Sequence, residues 1–235
     1  MTAAASAKRR TNLLRALVAF DRRHATAPPL LALLEEHQLR ERPVVIGIDE
    51  VGRGCLAGPV VAAAVVLPVV SARSKLERRL AGLNDSKAVS EPERERLAEV
   101  LREIAIYFIG EATVEEIDRW NIFHASYMAM QRALQGISAV PSSVVLVDGN
   151  HAIPGIVHRQ VPIVKGDAQS ACIAAASIVA KVHRDALMVR LAEEYPEYGW
   201  KTNKGYGSKE HRDAIGRHGP SPWHRRSFLK DPVEV

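Results

Sequence analysis

Apolar residues along the chain fall into short unbroken runs separated by amphipathic stretches. Pro43 to Asp49 (PVVIGID) has the length of one buried strand, and Ala57 to Leu67 (AGPVVAAAVVL) predicts a second. A glycine-rich turn, Gly52-Arg53-Gly54, lies between them, so the two runs predict an antiparallel pair. Ile104 to Gly110 (IAIYFIG), Ser143 to Asp148 (SVVLVD) and Val161 to Val164 predict three more strands.

Helical signals fill the gaps. Leu13, Leu14, Leu17 and Phe20 recur at helical spacing, ATAPP (25–29) breaks the pattern, and it resumes over Leu30 to Leu39. This preface, residues 1–42, is expected to be peripheral and partly mobile. Ser90 with Glu93 reads as a capping box with Pro92 in the first turn, opening a helix to about Glu103. Thr113 with Glu116 reads as a second box, with helices to Leu134 closed by Gly136. A long helix is expected from about Ala168 to Glu194, stopped by Pro196, and its ACIAAASIVAK stretch is small enough to lie close on a sheet. Ser208 to Arg217 predicts a last helix, and Ser71 to Leu83 stays unassigned. The pattern is α/β: a five-stranded mixed sheet flanked by helices, with a C-terminal helical extension. Three segments follow: the 1–42 preface, an α/β core over 43–195, and a basic helical and loop extension over 196–235.

Composition narrows the class. The 235 residues include 32 Lys+Arg against 27 Asp+Glu, a formal charge of +5, and only two cysteines, Cys55 and Cys172. That excludes a disulfide scaffold and a cysteine-based zinc module and predicts a reducing, cytoplasmic setting. The longest near-apolar run, Leu56 to Val70, is interrupted by prolines and too short to span a bilayer, so no membrane is expected. The N-terminal MTAAASAKRR has no apolar core after its basic residues and reads as no signal peptide. Residues 43–180 carry 13 basic and 15 acidic side chains, whereas residues 199–230 carry eight basic and two acidic ones. The latter, interleaved with Trp200, Tyr206 and Trp223, read as a phosphate-binding face.

Four acidic residues stand where apolar strands stop: Asp49, Glu50, Asp148 and Asp167. Singly, each has an ordinary use, Asp148 in a DGN turn and Asp167 as a helix cap. Together they suit hard divalent cations bound by oxygen, as in a two-metal centre for phosphodiester cleavage. Asp49 and Glu50 are neighbours on one strand and should point to opposite faces, so the strand is expected to distort, or one of them to bind through its carbonyl. Asp185 is a rival for the fourth position but lies about five turns along the long helix.

At these residues the chain resembles a known family. GIDEVGRGCLAGPV (Gly47 to Val60), NDSK (Asn84 to Lys87), IDRWNI (Ile117 to Ile122), VDGN (Val147 to Asn150), KGDAQSACIAAASIVAKVHRD (Lys165 to Asp185), KGYGSKEH (Lys204 to His211) and SPWHRRSF (Ser221 to Phe228) are similar, in this order, to the motifs of bacterial ribonuclease HII. The resemblance covers about residues 43–230 and implies a ribonuclease H-like fold. It implies hydrolysis of the RNA strand of RNA/DNA hybrids and incision 5′ of single ribonucleotides embedded in duplex DNA, leaving 3′-OH and 5′-phosphate ends. It maps the family's acidic quartet onto Asp49, Glu50, Asp148 and Asp167, with two Mn²⁺ or Mg²⁺ ions. Its Gly-Arg-Gly motif falls on Gly52, Arg53 and Gly54, its substrate-sensing tyrosine on Tyr206, and Lys87 is a candidate phosphate contact. The expected partner is nucleic acid and the expected state a monomer. The competing readings are another nuclease of this fold, such as a junction resolvase, and a non-catalytic hybrid-binding module.

Overall fold

A computed structural model describes residues 3–26, 44–137 and 143–229. The expected helical stretch over 30–39 lies outside these residues, as does the C-terminal tail from 230. Five strands form one sheet: β1 (Val44–Val51), β2 (Val60–Val66), β3 (Ile106–Ala112), β4 (Ser143–Asp148) and β5 (Arg159–Ile163). Their order is β3-β2-β1-β4-β5, with β1, β2 and β3 antiparallel and β1, β4 and β5 parallel. The mixed sheet expected from the sequence is therefore present, and the Gly52–Gly54 turn joins an antiparallel pair.

Helices cover both faces. Alternation along β1 sends Gly47, Asp49 and Val51 to one face, and Ile46, Ile48 and Glu50 to the other. The first face takes the long helix Ala171–Glu194 together with Glu91–Ile104, while the second takes Val114–Gly136. Gly47 is required by this packing, because a Cβ there would run into the backbone of Cys172 and Ile173. Ala174, Ala175, Ala176 and Ala180 of the long helix are fully buried, as its small-residue composition anticipates. No helix among the described residues is long and apolar enough to cross a membrane.

Three local expectations differ from the structure. The N-terminal segment is not peripheral where it is described: helix α1 (Ala3–Ala25) places Leu14 and Leu17 in the main core, and its Asp21 carboxylate accepts the Cys172 N–H at 3.0 Å. Ser90 does precede its helix, but no capping box forms, because the Glu93 carboxylate is engaged by Arg96 at 2.9 Å and by Arg10 of α1 at 3.3 Å. The Thr113–Glu116 box forms in both directions. Asp167 does not open the long helix; it sits in a short 3₁₀ turn, Gly166–Ala168, and Ser170 caps the helix by accepting the Ile173 N–H at 3.1 Å.

Candidate active site

The sheet delivers the acidic residues from neighbouring positions. β1 and β4 run parallel with Ile48 opposite Val147, so Asp49 and Asp148 leave adjacent strands side by side. The anticipated distortion at Asp49-Glu50 does not occur. Both residues stay in the ladder opposite Ala63 and Ala62 and point to opposite faces. Asp148, at the very end of its strand, lies within electrostatic reach of both. Asp167 joins from the turn after β5, where the Gly166 N–H donates to Asp148 Oδ1 at 2.7 Å and so ties the turn to the strand end. Lys165 holds this turn with a φ of 55°, a left-handed conformation unusual for a residue with a side chain.

The four carboxylates repel one another in a poorly solvated place. Burial raises Asp49 well above the usual carboxylate range, and Glu50, Asp148 and Asp167 push it further. Burial also raises Glu50, against the pull of Arg53, whose guanidinium lies 3.1 Å from Glu50 Oε1. Asp167 is pushed up to about 6 by burial, then by Asp148 and Asp85. The leading influences on Asp49 and Asp167 include no cation. Among the described residues no three His, Cys, Asp or Glu side chains form a ready-made metal cage. Three of the carboxylates are partly turned to a local donor instead: Asp49 to the Glu50 N–H (2.7 Å), Glu50 to Arg53, and Asp148 to the Gly166 N–H. The donor set is oxygen-only, anionic and short of positive charge, which fits a hard divalent cation.

Other groups at this site were not recognisable as such from sequence. Ser177 lies within hydrogen-bonding reach of Asp49, and its hydroxyl is 2.9 Å from that of buried Ser86. Ser177 belongs to the Ala-rich helix stretch, where a polar residue on the sheet-facing side was the available signal. Asp85 accepts the Lys87 N–H at 2.8 Å and touches Asp167. That contact places the NDSK turn, and exposed Lys87 with it, at the edge of the site.

The Gly52–Gly54 loop and the Tyr206 loop are stitched together. Leu56 N–H donates to Gly205 O at 2.8 Å, and Cys55 pairs with Tyr206 as an isolated bridge. Two fully buried arginines hold the seam. Arg184 donates to the carbonyls of Ala57 (2.8 Å), Pro59 (3.0 Å) and Lys204 (2.9 Å). Arg225 donates to those of Gly58 and Arg53, both at 2.9 Å. In a trans peptide the C=O and N–H point in opposite directions, so Arg225's grip on the Arg53 carbonyl turns the Gly54 N–H away from it. The glycines divide the work. Gly52 has a φ of 95° and no room beside Arg184, whereas a side chain at Gly54 would meet nothing within 4 Å. Gly54 thus leaves an open approach to backbone donors.

Tyr206 is 39% exposed, with the Lys181 ammonium 5.6 Å from its ring centre. Its carbonyl accepts from His211 Nδ1 at 2.8 Å. His211 Nε2 accepts the Trp200 indole N–H at 3.0 Å and lies 3.0 Å from His224 Nε2, while the Ser221 N–H donates to His224 Nδ1 at 2.9 Å. One proton arrangement satisfies this chain: neutral His211 protonated on Nδ1 and neutral His224 protonated on Nε2. Burial lowers both imidazoles accordingly, His224 to about 4. Trp200, expected on the binding face, is fully buried in this cluster. Cys55 and Cys172 are buried, as small packed residues.

Comparison with known proteins follows the same outline. The family model described as Ribonuclease HII matches residues 46–231. The chain is 53% identical to a Ribonuclease HII of Cereibacter sphaeroides over 78% of this chain and 83% of that one. It is 52% identical to one of Clostridioides difficile over 79% and 69%. Among solved structures, an RNase HII of Archaeoglobus fulgidus in complex with PCNA superposes with a TM-score of 0.64 at 27% identity, over 80% of this chain and 96% of that one.

Proposed function

The chain belongs to the ribonuclease HII family, endonucleases that cleave the RNA of RNA/DNA hybrids, and from that premise we propose that it incises duplex DNA on the 5′ side of a single embedded ribonucleotide. In this reading Asp49, Glu50, Asp148 and Asp167 hold two divalent cations, Mg²⁺ or Mn²⁺. The observation that carries it is the crowding of four carboxylates at the ends of two neighbouring central strands and the turn beside them, with Arg53 as the single cation among the leading influences on Asp49, Glu50 and Asp167. The ions, when bound, supply Lewis acidity and a water of lowered pKa.

The chain's own groups do the rest. Asp49, fixed by Ser177 from the helix side, and Asp148, fixed by the Gly166 N–H, present oxygens from two adjacent strand ends. Glu50, paired with Arg53 at 3.1 Å, would be a ligand of an ion, and Arg53 would then be available to substrate. The Gly54 N–H and Arg53 read the ribonucleotide 2′-OH, the one group that separates RNA from DNA at that position. Tyr206 stacks on the neighbouring deoxyribose and senses the junction, and Lys87 contacts a phosphate. Products carry 3′-OH and 5′-phosphate ends, with no covalent intermediate on the protein.

The test is a nicking assay on a duplex with one ribonucleotide, in Mg²⁺ or Mn²⁺, against an all-DNA duplex. The wild type should nick only the former, and Asp49→Asn should not nick either. Equal activity of the two proteins would refute the ligand assignment. In a parallel arm, Tyr206→Ala should lose preference for the junction while keeping duplex affinity within a few-fold.

A further inference from the structure

The helix Val114–Gly136 is broken at Asn121, whose φ of 65° and ψ of 166° lie outside the helical region. Its side-chain oxygen accepts the N–H groups of Phe123 at 2.9 Å and His124 at 3.2 Å, so Asn121 caps the second half of the helix. Strained backbone of this kind persists where the surroundings over-determine it, and it gathers at working surfaces. Here the break leaves Trp120 and Phe123 projecting, 48% and 58% exposed. Each ring carries an arginine: Arg119 lies 4.7 Å from the Trp120 ring centre, and Arg53 lies 4.8 Å from that of Phe123.

These rings line one side of an open cleft of about 780 Å³, with Ser227 and Phe228 on the other side. The far side is fixed, because Asp118 accepts the N–H groups of Arg226 and Ser227, each at 3.0 Å. That pairing takes up both oxygens of the one carboxylate lining the cleft, and leaves Arg119 as the lining arginine available to a ligand's phosphate. Arg53 has Glu50 on one side at 3.1 Å and Phe123 on the other, which makes the cleft continuous with the ribonucleotide-reading loop.

We propose that this cleft is a second nucleic-acid contact, taking the sugar–phosphate strand of the substrate several nucleotides from the ribonucleotide. Trp120 and Phe123 pack on sugars or frayed bases and Arg119 meets a phosphate. Exposed aromatic rings alternating with arginines are the surface that tracks a nucleic-acid strand without reading its sequence. The proposal rests on the ribonucleotide binding at Gly52–Gly54, since that fixes where the strand continues.

The experiment compares wild type with Trp120→Ala, Phe123→Ala and Arg119→Gln on single-ribonucleotide duplexes trimmed stepwise from either end. All three positions are exposed, so the variants should fold. On the longest duplex KM should rise about tenfold for the aromatic variants, the scale of one lost stack, with kcat within twofold. The difference should vanish once one particular flank is trimmed. Trp120 gives a second readout: duplex binding should quench fluorescence in the wild type and much less in Trp120→Phe. Unchanged KM at every length overturns the proposal, as does a KM shift independent of length, which would mean that Phe123 acts only by placing Arg53. A uniform RNA/DNA hybrid, trimmed in the same way, separates this failure from failure of the single-ribonucleotide reading.

Discussion

Two clusters of charge adjoin the Gly52–Gly54 loop, and they are completed in opposite ways. Arg184 and Arg225 are fully buried and make no ion pair among the described residues, yet five backbone carbonyls receive their donors. The carboxylates at the strand ends are equally crowded but have little to balance them. The donors of the two arginines go to carbonyls and none to the carboxylates of the site. The cations brace a loop through peptide dipoles, and the anions are left short of positive charge. A buried charge without a partner is costly, so that shortage is the mark of a group supplied from outside.

The largest effect should come from striking the anionic cluster. Asp49→Asn should cost hybrid cleavage more than about a hundredfold, beyond what the loss of a merely supporting partner of a metal ligand costs. In metal-free buffer the same change should raise the melting temperature, because it removes one of several buried like charges. Loss of stability together with activity would break the comparison. Next in size is the cationic side. Arg184→Met should destabilise the fold by about 3–5 kcal/mol, read as a lower urea midpoint, since it leaves three buried carbonyls unpaired. A neutral result would mean that the carbonyls find water.

Asp21 sharpens the contrast as a buried carboxylate outside the cluster. It sits at the N-terminus of the long helix, where Oδ2 accepts the Cys172 N–H while Oδ1 is buried without a hydrogen-bond partner among the described residues. Asp21→Ala should therefore cost about 1–2 kcal/mol in thermal or urea unfolding, the scale of a lost helix cap.

The smallest effect is a change of slope with pH. The folded pKa of His224 lies near 4, below its unfolded value of 6.5, so its stabilising contribution is present above pH 6.5 and is lost as pH falls toward 4. Asp167 has the opposite sign. Its folded value near 6 lies above the unfolded 3.8, so the folded state gains protons, and stability, as pH falls through 6. Asp167→Asn removes that compensation, and its melting temperature in metal-free buffer should fall more steeply than that of the wild type between pH 6.5 and 4.

Much of this was readable in the sequence wherever local chemistry decides structure. The apolar run of β4 ends at Asp148 in the sequence and in the fold, and Thr113 with Glu116 forms its box even though Arg132 also grips the Glu116 carboxylate. Ser90 and Glu93 offer the same pattern and form no box: the glutamate pairs with Arg96 of its own helix and with Arg10 of α1. The burial of α1, the brace of Arg184 and Arg225, and the contact of Asp85 with Asp167 all join residues far apart in the chain. Periodicity sees one segment at a time and is blind to them. An arginine in VHRD or WHRRSF surroundings reads as a surface charge until the carbonyls that meet it are known, and the same limit put Trp200 on the outside.

The central place of β1 has a consequence for how the chain is made. β1 pairs with β2 across a short turn, but its other edge waits for β4, which begins at Ser143. During synthesis from the N-terminus the first three strands can assemble as a meander while Val44 to Ile48 still presents an open, strongly apolar edge. Such an edge recruits other strands, including those of neighbouring nascent chains. Arrival of β4 closes it and in the same step brings Asp148 beside Asp49, so the newborn protein exchanges an aggregation hazard for the charge crowding on which its chemistry depends.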